Sequence, residues 1–137
     1  MFAAEYFDVV PDAITVAKSL GGSGAQVAAI ITNDDLLGME SDHHSFTYGS
    51  NLIAAAAANA TLKIIREPAF LQNVTTVGDY IMQRMRALQT QAPIIGDVRG
   101  VGLMIGLEFD FPIQELRKRL IYEQHVFTGC SGTHVLR

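Results

Sequence analysis

A chain of 137 residues has room for one domain or for part of a larger one, and with 49% hydrophobic and 18% charged residues it is globular rather than disordered. Its formal net charge of -4 argues against non-specific binding to nucleic acid or anionic lipid. The single cysteine, Cys130, excludes an internal disulfide and fits a reducing cytoplasm.

The first ten residues, MFAAEYFDVV, have neither the basic head nor the long apolar run of a signal peptide. They also give no clear start to a domain. The run AITVA, Ala13 to Ala17, is a short strand of buried type, and QVAAIIT, Gln26 to Thr32, is a second. NDDLLG reads as a helical turn capped by Asn33 or Asp34. Ser41 to Ser50 is polar and aperiodic, hence a loop. From Asn51 to Arg66 the alanine-rich sequence is a strong helix former. With small residues on every side, this helix is expected to be buried, at a subunit contact for example. It is too short and too alanine-rich to span a bilayer.

Glu67-Pro68 breaks that helix, because proline lacks an N–H and disfavours helix in the residue before it. A second helix runs to about Gln91, with Leu71, Val74, Ile81, Met85 and Leu88 on one face. Beyond Pro93, the alternation of Leu103, Ile105, Leu107 and Phe109 has a strand period. Pro112 opens a further helix, with Ile113, Leu116 and Leu120 on one stripe and the basic run Arg117-Lys118-Arg119 on the other. HVF and HVLR are expected as short strands around the turn TGCSGT, and the last of them reads like a strand cut short. The second half is thus a small α/β unit, with a boundary between Ala60 and Pro68.

Lys18 closes the first apolar run, and Gly21 and Gly22 follow it. A lysine at a strand end can simply snorkel its ammonium to water. The alternative is an amine held out of water. Desolvation favours the neutral nucleophile, and such an amine can condense with an aldehyde to form a Schiff base. The glycines beside it would leave space for a planar cofactor. Thr47 precedes the alanine-rich helix, whose N-terminal N–H groups and dipole suit a phosphate, although an ordinary cap and turn would read the same way. Arg137 could clamp a carboxylate bidentately or merely carry a surface charge.

Other patterns are weaker. The glycines of GVGLMIG sit inside a strand rather than between a strand and a helix, so they do not form a dinucleotide loop and point to close packing. Asp42, His43 and His44 lack a further ligand for a metal. Cys130 with His134 lacks an orienting group for nucleophilic catalysis.

Taken in order, PDAITVAKSLGG, FTYGSN with its alanine-rich helix, IGDVRGVGLMIGLEF and HVLR resemble the class-III pyridoxal-phosphate-dependent aminotransferases, in the flavour of acetylornithine and succinylornithine aminotransferases. The resemblance implies the C-terminal part of a fold-type-I PLP-dependent transferase. Residues 1–65 would be the end of the large cofactor-binding domain with its connecting helix, and residues 66–137 a small α/β domain, incomplete at its end. It implies that Lys18 carries pyridoxal 5'-phosphate and that Thr47 binds the cofactor phosphate across a homodimer interface. It further implies that Arg137 holds the substrate α-carboxylate. Phe46 stands beside Thr47 where acetylornithine enzymes often have a small hydroxyl residue, and would face the substrate. The implied partners are an amino acid and a 2-oxo acid, in the cytoplasm, with no nucleic acid and no membrane. Ornithine or 4-aminobutyrate transamination, and a non-catalytic dimerisation fragment, remain the alternatives.

Overall fold

β-Branched residues favour extended backbone, and the runs AITV and AIIT form β1 (Ala13–Val16) and β2 (Ala29–Thr32). The computed structural model describes residues 1–36 and 47–137. They divide into two units, residues 1–71 and 72–137.

In the first unit, a short helix, α1 (Ala3–Tyr6), leads to β1, which pairs antiparallel with β2 from Ala13 opposite Thr32 to Val16 opposite Ala29. A 3-10 turn, Lys18–Gly21, leaves β1, and a second, Asp34–Leu36, follows β2. Contrary to the buried reading of these runs, β1 alternates exposed and half-buried residues and β2 is exposed throughout, with Ile30 at 72% and Ile31 at 51%. Apolarity on both faces is the mark of an interior strand, yet among the described residues β2 pairs only with β1.

α2 (Leu52–Ile65) is capped by Asn51, whose side-chain oxygen accepts from the N–H groups of Ile53 (3.0 Å) and Ala54 (3.2 Å). Its expected burial is limited to one stripe. Ala54 and Ala58 are buried, whereas Leu52 and Ile53 are among the most exposed apolar residues. Thr61, half-buried on the same side, bonds back to the Ala57 carbonyl.

The second unit centres on α3 (Pro68–Gln91) and a four-stranded antiparallel sheet. Its strands are β3 (Ile95–Val101), β4 (Met104–Phe109), β5 (Cys130–Ser131) and β6 (Val135–Leu136), in the spatial order β3-β4-β6-β5. α4 (Gln114–Gln124) connects β4 to the β5–β6 pair. Met82, Ile95, Val98, Phe109, Ile113 and Leu136 form the core, and Ile113 is 1% exposed. Gln89 fastens the end of α3 to the start of β3 through the carbonyls of Ile95 and Gly96.

Four details differ from the sequence reading. The buried line of α3 is centred on Gly78 and Met82, and Leu88 is exposed. A glycine carries no apolar signal, so periodicity among large residues displaced the face. Strand structure extends back to Ile95, and Gly102 turns the chain at φ +54 between two paired strands, where one strand period had been read. The HVF segment is not a strand, and Cys130–Ser131, expected in a turn, pairs with β6 instead. Arg117 is half-buried, whereas Lys118 and Arg119 face solvent.

Candidate active site

Lys18 sits where β1 ends. The backbone turns sharply there: Ala17 is extended, Lys18 has φ +58, and Gly22 and Ser23 follow at φ +63 and +64. A non-glycine residue in the left-handed region is uncommon and costs about 1–2 kcal/mol. Two of these three positions carry side chains, which marks the segment as held in shape by its surroundings.

Those surroundings are visible at Gly22. A β-carbon there would lie 2.7 Å from Thr61 Oγ1 on α2. Gly21 is buried, with Ala25 and Val27 in van der Waals reach. The turn behind Lys18 is therefore pressed against α2 by an approach only glycine allows. The glycine pair was visible in the sequence. Thr61, the residue it meets, carries no sign of that contact within an alanine-rich helix.

An open cleft of about 570 Å3 is lined by Lys18 and by the segment Ser23 to Ala28. Lys18 is exposed in this chain, so the expectation of an amine sheltered from water is not met by the described residues alone. The lining mixes a hydroxyl, an amide and small apolar groups, while Gly21 and Gly22, expected to make room for a planar cofactor, do not line it.

Thr47 is exposed in the turn 47–50 that enters α2 and does not line this cleft. The helix end it was expected to share with a phosphate is already engaged. Asn51 takes the N–H groups of residues 53 and 54 on its side chain, and that of Ala55 on its carbonyl. Donors for an anion at this corner would therefore come from the Leu52 N–H and the turn itself. Phe46, like Asp42, His43 and His44, lies outside the described residues.

Arg137 belongs to the second unit and directly follows β6. Its backbone N–H donates to the Gly129 carbonyl (3.1 Å), and its carbonyl accepts from the Gly129 N–H (2.7 Å). The guanidinium lies over Gly129, close enough that a β-carbon on Gly129 would be 3.4 Å from Nε and 3.6 Å from Nη2. The side chain is exposed and has no acidic partner among the described residues. It is an available, oriented cation, with the fork geometry that suits a carboxylate.

Among the described residues, no three His, Cys, Asp or Glu side chains converge as metal ligands, and no helix is long and apolar enough to cross a membrane. Cys130 and His134 are both exposed, and Cys130 Sγ lies 3.6 Å from Arg117 Nη1.

Against known proteins, the whole chain, residues 1–137, matches the class-III aminotransferase family. It is 40% identical over 116 residues to the acetylornithine aminotransferase of Bacillus subtilis (strain 168), covering 84% of this chain and 30% of that protein. It is also 41% identical over 107 residues to the alanine/serine racemase of Pyrococcus horikoshii, covering 78% of this chain and 22% of that protein. Among solved structures, the ornithine δ-aminotransferase of Plasmodium falciparum superposes with a TM-score of 0.88 at 26% identity, over 98% of this chain and 36% of that one. The chain belongs to the class-III aminotransferases and has the fold of part of a PLP-dependent aminotransferase. It spans about a third or less of the length of these relatives.

Proposed function

We propose that this chain is the segment of a PLP-dependent aminotransferase that supplies the cofactor lysine, a phosphate-binding threonine and the substrate arginine. The reaction we assign is transamination of an acylated ornithine with 2-oxoglutarate, in arginine metabolism and in the cytoplasm. Residues 1–65 would be the end of the large domain and residues 66–137 most of the small one. The observation that carries this reading is Lys18, held in a left-handed turn at a strand end beside an open cleft, in a chain that matches the family from end to end.

Pyridoxal phosphate, when bound, supplies the electron sink for breaking a bond at the carbon that bears the reacting amino group. With that group bound, Lys18 Nζ would take the proton from that carbon as a base and give it up as an acid at a different atom, so that the substrate carbon is left at the oxo level and the amino group leaves it. The strand end fixes the root of the side chain, and the turn after it fixes its direction. Arg137 binds the α-carboxylate. Phe46 would be a substrate-binding residue.

Thr47 would serve the phosphate in a second copy's site. In support, the contact between α2 and the lysine turn falls at Thr61. The capped end of α2 that follows Thr47 is ten residues away, about 15 Å at 1.5 Å per residue. Thr47 does not line the cleft beside Lys18, which supports Lys18 and Thr47 of one chain serving different sites, and hence a homodimer.

The test is spectroscopic and kinetic. PLP followed by borohydride should label Lys18, and Lys18→Ala should lose both the label and the cofactor absorbance. Labelling at another lysine would sink the assignment. The holoenzyme should consume acetylornithine only when a 2-oxo acid is present. The similarity to an alanine/serine racemase supports a second reading, which predicts inversion of an amino acid with no such requirement. Preference for ornithine or 4-aminobutyrate would move the donor within the family. A stable oligomer with no affinity for PLP would leave only a dimerisation role.

A further inference from the structure

Arg117 is the one residue of the basic run on α4 that turns inward, and what it holds is the strand edge beside Arg137. Its Nη2 donates to the Thr128 carbonyl at 2.9 Å, and its Nη1 lies 3.6 Å from Cys130 Sγ. These two contacts flank Gly129, whose N–H and carbonyl both bond to the backbone of Arg137, and whose bare α-carbon lies beneath the Arg137 guanidinium. β5 is a two-residue strand at the edge of its sheet, so its ladder alone is a weak anchor.

The arrangement is costly. Arg117 Nε and Thr128 Oγ1 are both buried with no hydrogen-bond partner among the described residues, and buried unsatisfied polar groups call for an explanation. A purely structural contact between α4 and this loop would be met more cheaply by an apolar side chain of similar length. The forked guanidinium does what an apolar chain cannot: it fixes residues 128 and 130 together, and with them the glycine between.

We propose that Arg117 is a positioning residue that sets the direction of the Arg137 guanidinium by clamping residues 128–130. The proposal rests on the reading of Arg137 as the carboxylate-binding group, and its test separates the two. In the holoenzyme, acetylornithine is compared with N-acetylputrescine, the same amine without the carboxylate. Arg117→Met should raise KM for acetylornithine about tenfold, the worth of one hydrogen bond from a charged group. It should leave kcat and the poorer reaction of N-acetylputrescine nearly unchanged. Arg117→Lys, which keeps the charge but not the fork, should fall between and guards against a variant that fails to fold. As a readout independent of activity, amide exchange at Gly129 and Arg137 should quicken in Arg117→Met while β3–β4 amides stay protected. Equal losses on both amines, or unchanged exchange at Gly129 and Arg137, would overturn the positioning role. If instead Arg137→Ala fails to distinguish the two amines, the carboxylate reading of Arg137 falls, and with it the substrate consequence of Arg117.

Discussion

Gly78 on α3 and Gly102 in the β3–β4 turn meet backbone to backbone: a β-carbon on Gly78 would lie 2.5 Å from the Gly102 carbonyl carbon and 2.8 Å from its α-carbon. Neither distance is tolerable between non-bonded carbons. Glycine within a helix costs about 1 kcal/mol relative to alanine, and here the close approach of the hairpin explains its presence. Gly78→Ala should therefore destabilise the protein by about 2 kcal/mol, overpacking outweighing the gain in helix propensity. Chemical denaturation would show it as a lower midpoint. An unchanged or raised midpoint would mean that α3 and the hairpin are not in this contact.

Gly22 and Thr61 allow a cycle. Gly22→Ala faces two penalties, a left-handed φ of +63 and a β-carbon 2.7 Å from Thr61 Oγ1. Together they should cost about 2 kcal/mol or more. Thr61→Ala removes the hydroxyl and should restore only the steric share when combined with Gly22→Ala. The coupling between the two sites in a double-mutant cycle is expected at about 0.5–3 kcal/mol. Strict additivity would deny the contact that presses the lysine turn onto α2.

Lys18 itself should be a site where stability and function conflict. Its φ of +58 is costly for any residue with a β-carbon. In the absence of cofactor, Lys18→Gly is expected to raise stability by about 0.5–1 kcal/mol, the left-handed penalty less the greater chain entropy of glycine. Lys18→Ala, which keeps the β-carbon, should gain little. Thermal melts of the three proteins side by side decide it, and equal gains for glycine and alanine would place the effect in the ammonium rather than the backbone.

Asn51 caps α2 with one side-chain oxygen shared by two N–H groups. Asn51→Ala should cost about 1 kcal/mol and Asn51→Ser much less. Because the cap stands between Thr47 and the helix, loss of the cap should also weaken PLP affinity more than the equally destabilising loss of a distant contact. Titration with PLP beside a stability-matched control tests this.

Much of this protein was readable in one dimension. The run that becomes β1, the break at Glu67-Pro68 and the apolar stripe from Ile113 follow from local preference, and the family follows from motif order. These are properties of near neighbours along the chain. Proline removes an N–H, β-branching favours extension, and the three- or four-residue spacing of large apolar side chains shows which helix face is wet. What escaped depends on who meets whom. Gly78, Gly102 and Gly22 earn their places through approaches made by distant backbone or side chains, and a glycine shows nothing of its neighbour in sequence. Arg117 looked like one of three equivalent solvated cations until α4 packed and turned it towards residues 128–130.

The amino-acid sequence by itself determined the family and most of the helices and strands, and it named the candidate reactive groups, because those are written in residue type and order. Only the tertiary structure decided how Lys18 is turned, what Thr61 fills and what Arg117 grips. Those outcomes depend on packing between segments far apart in the chain, where a separation of a few tenths of an ångström divides contact from collision.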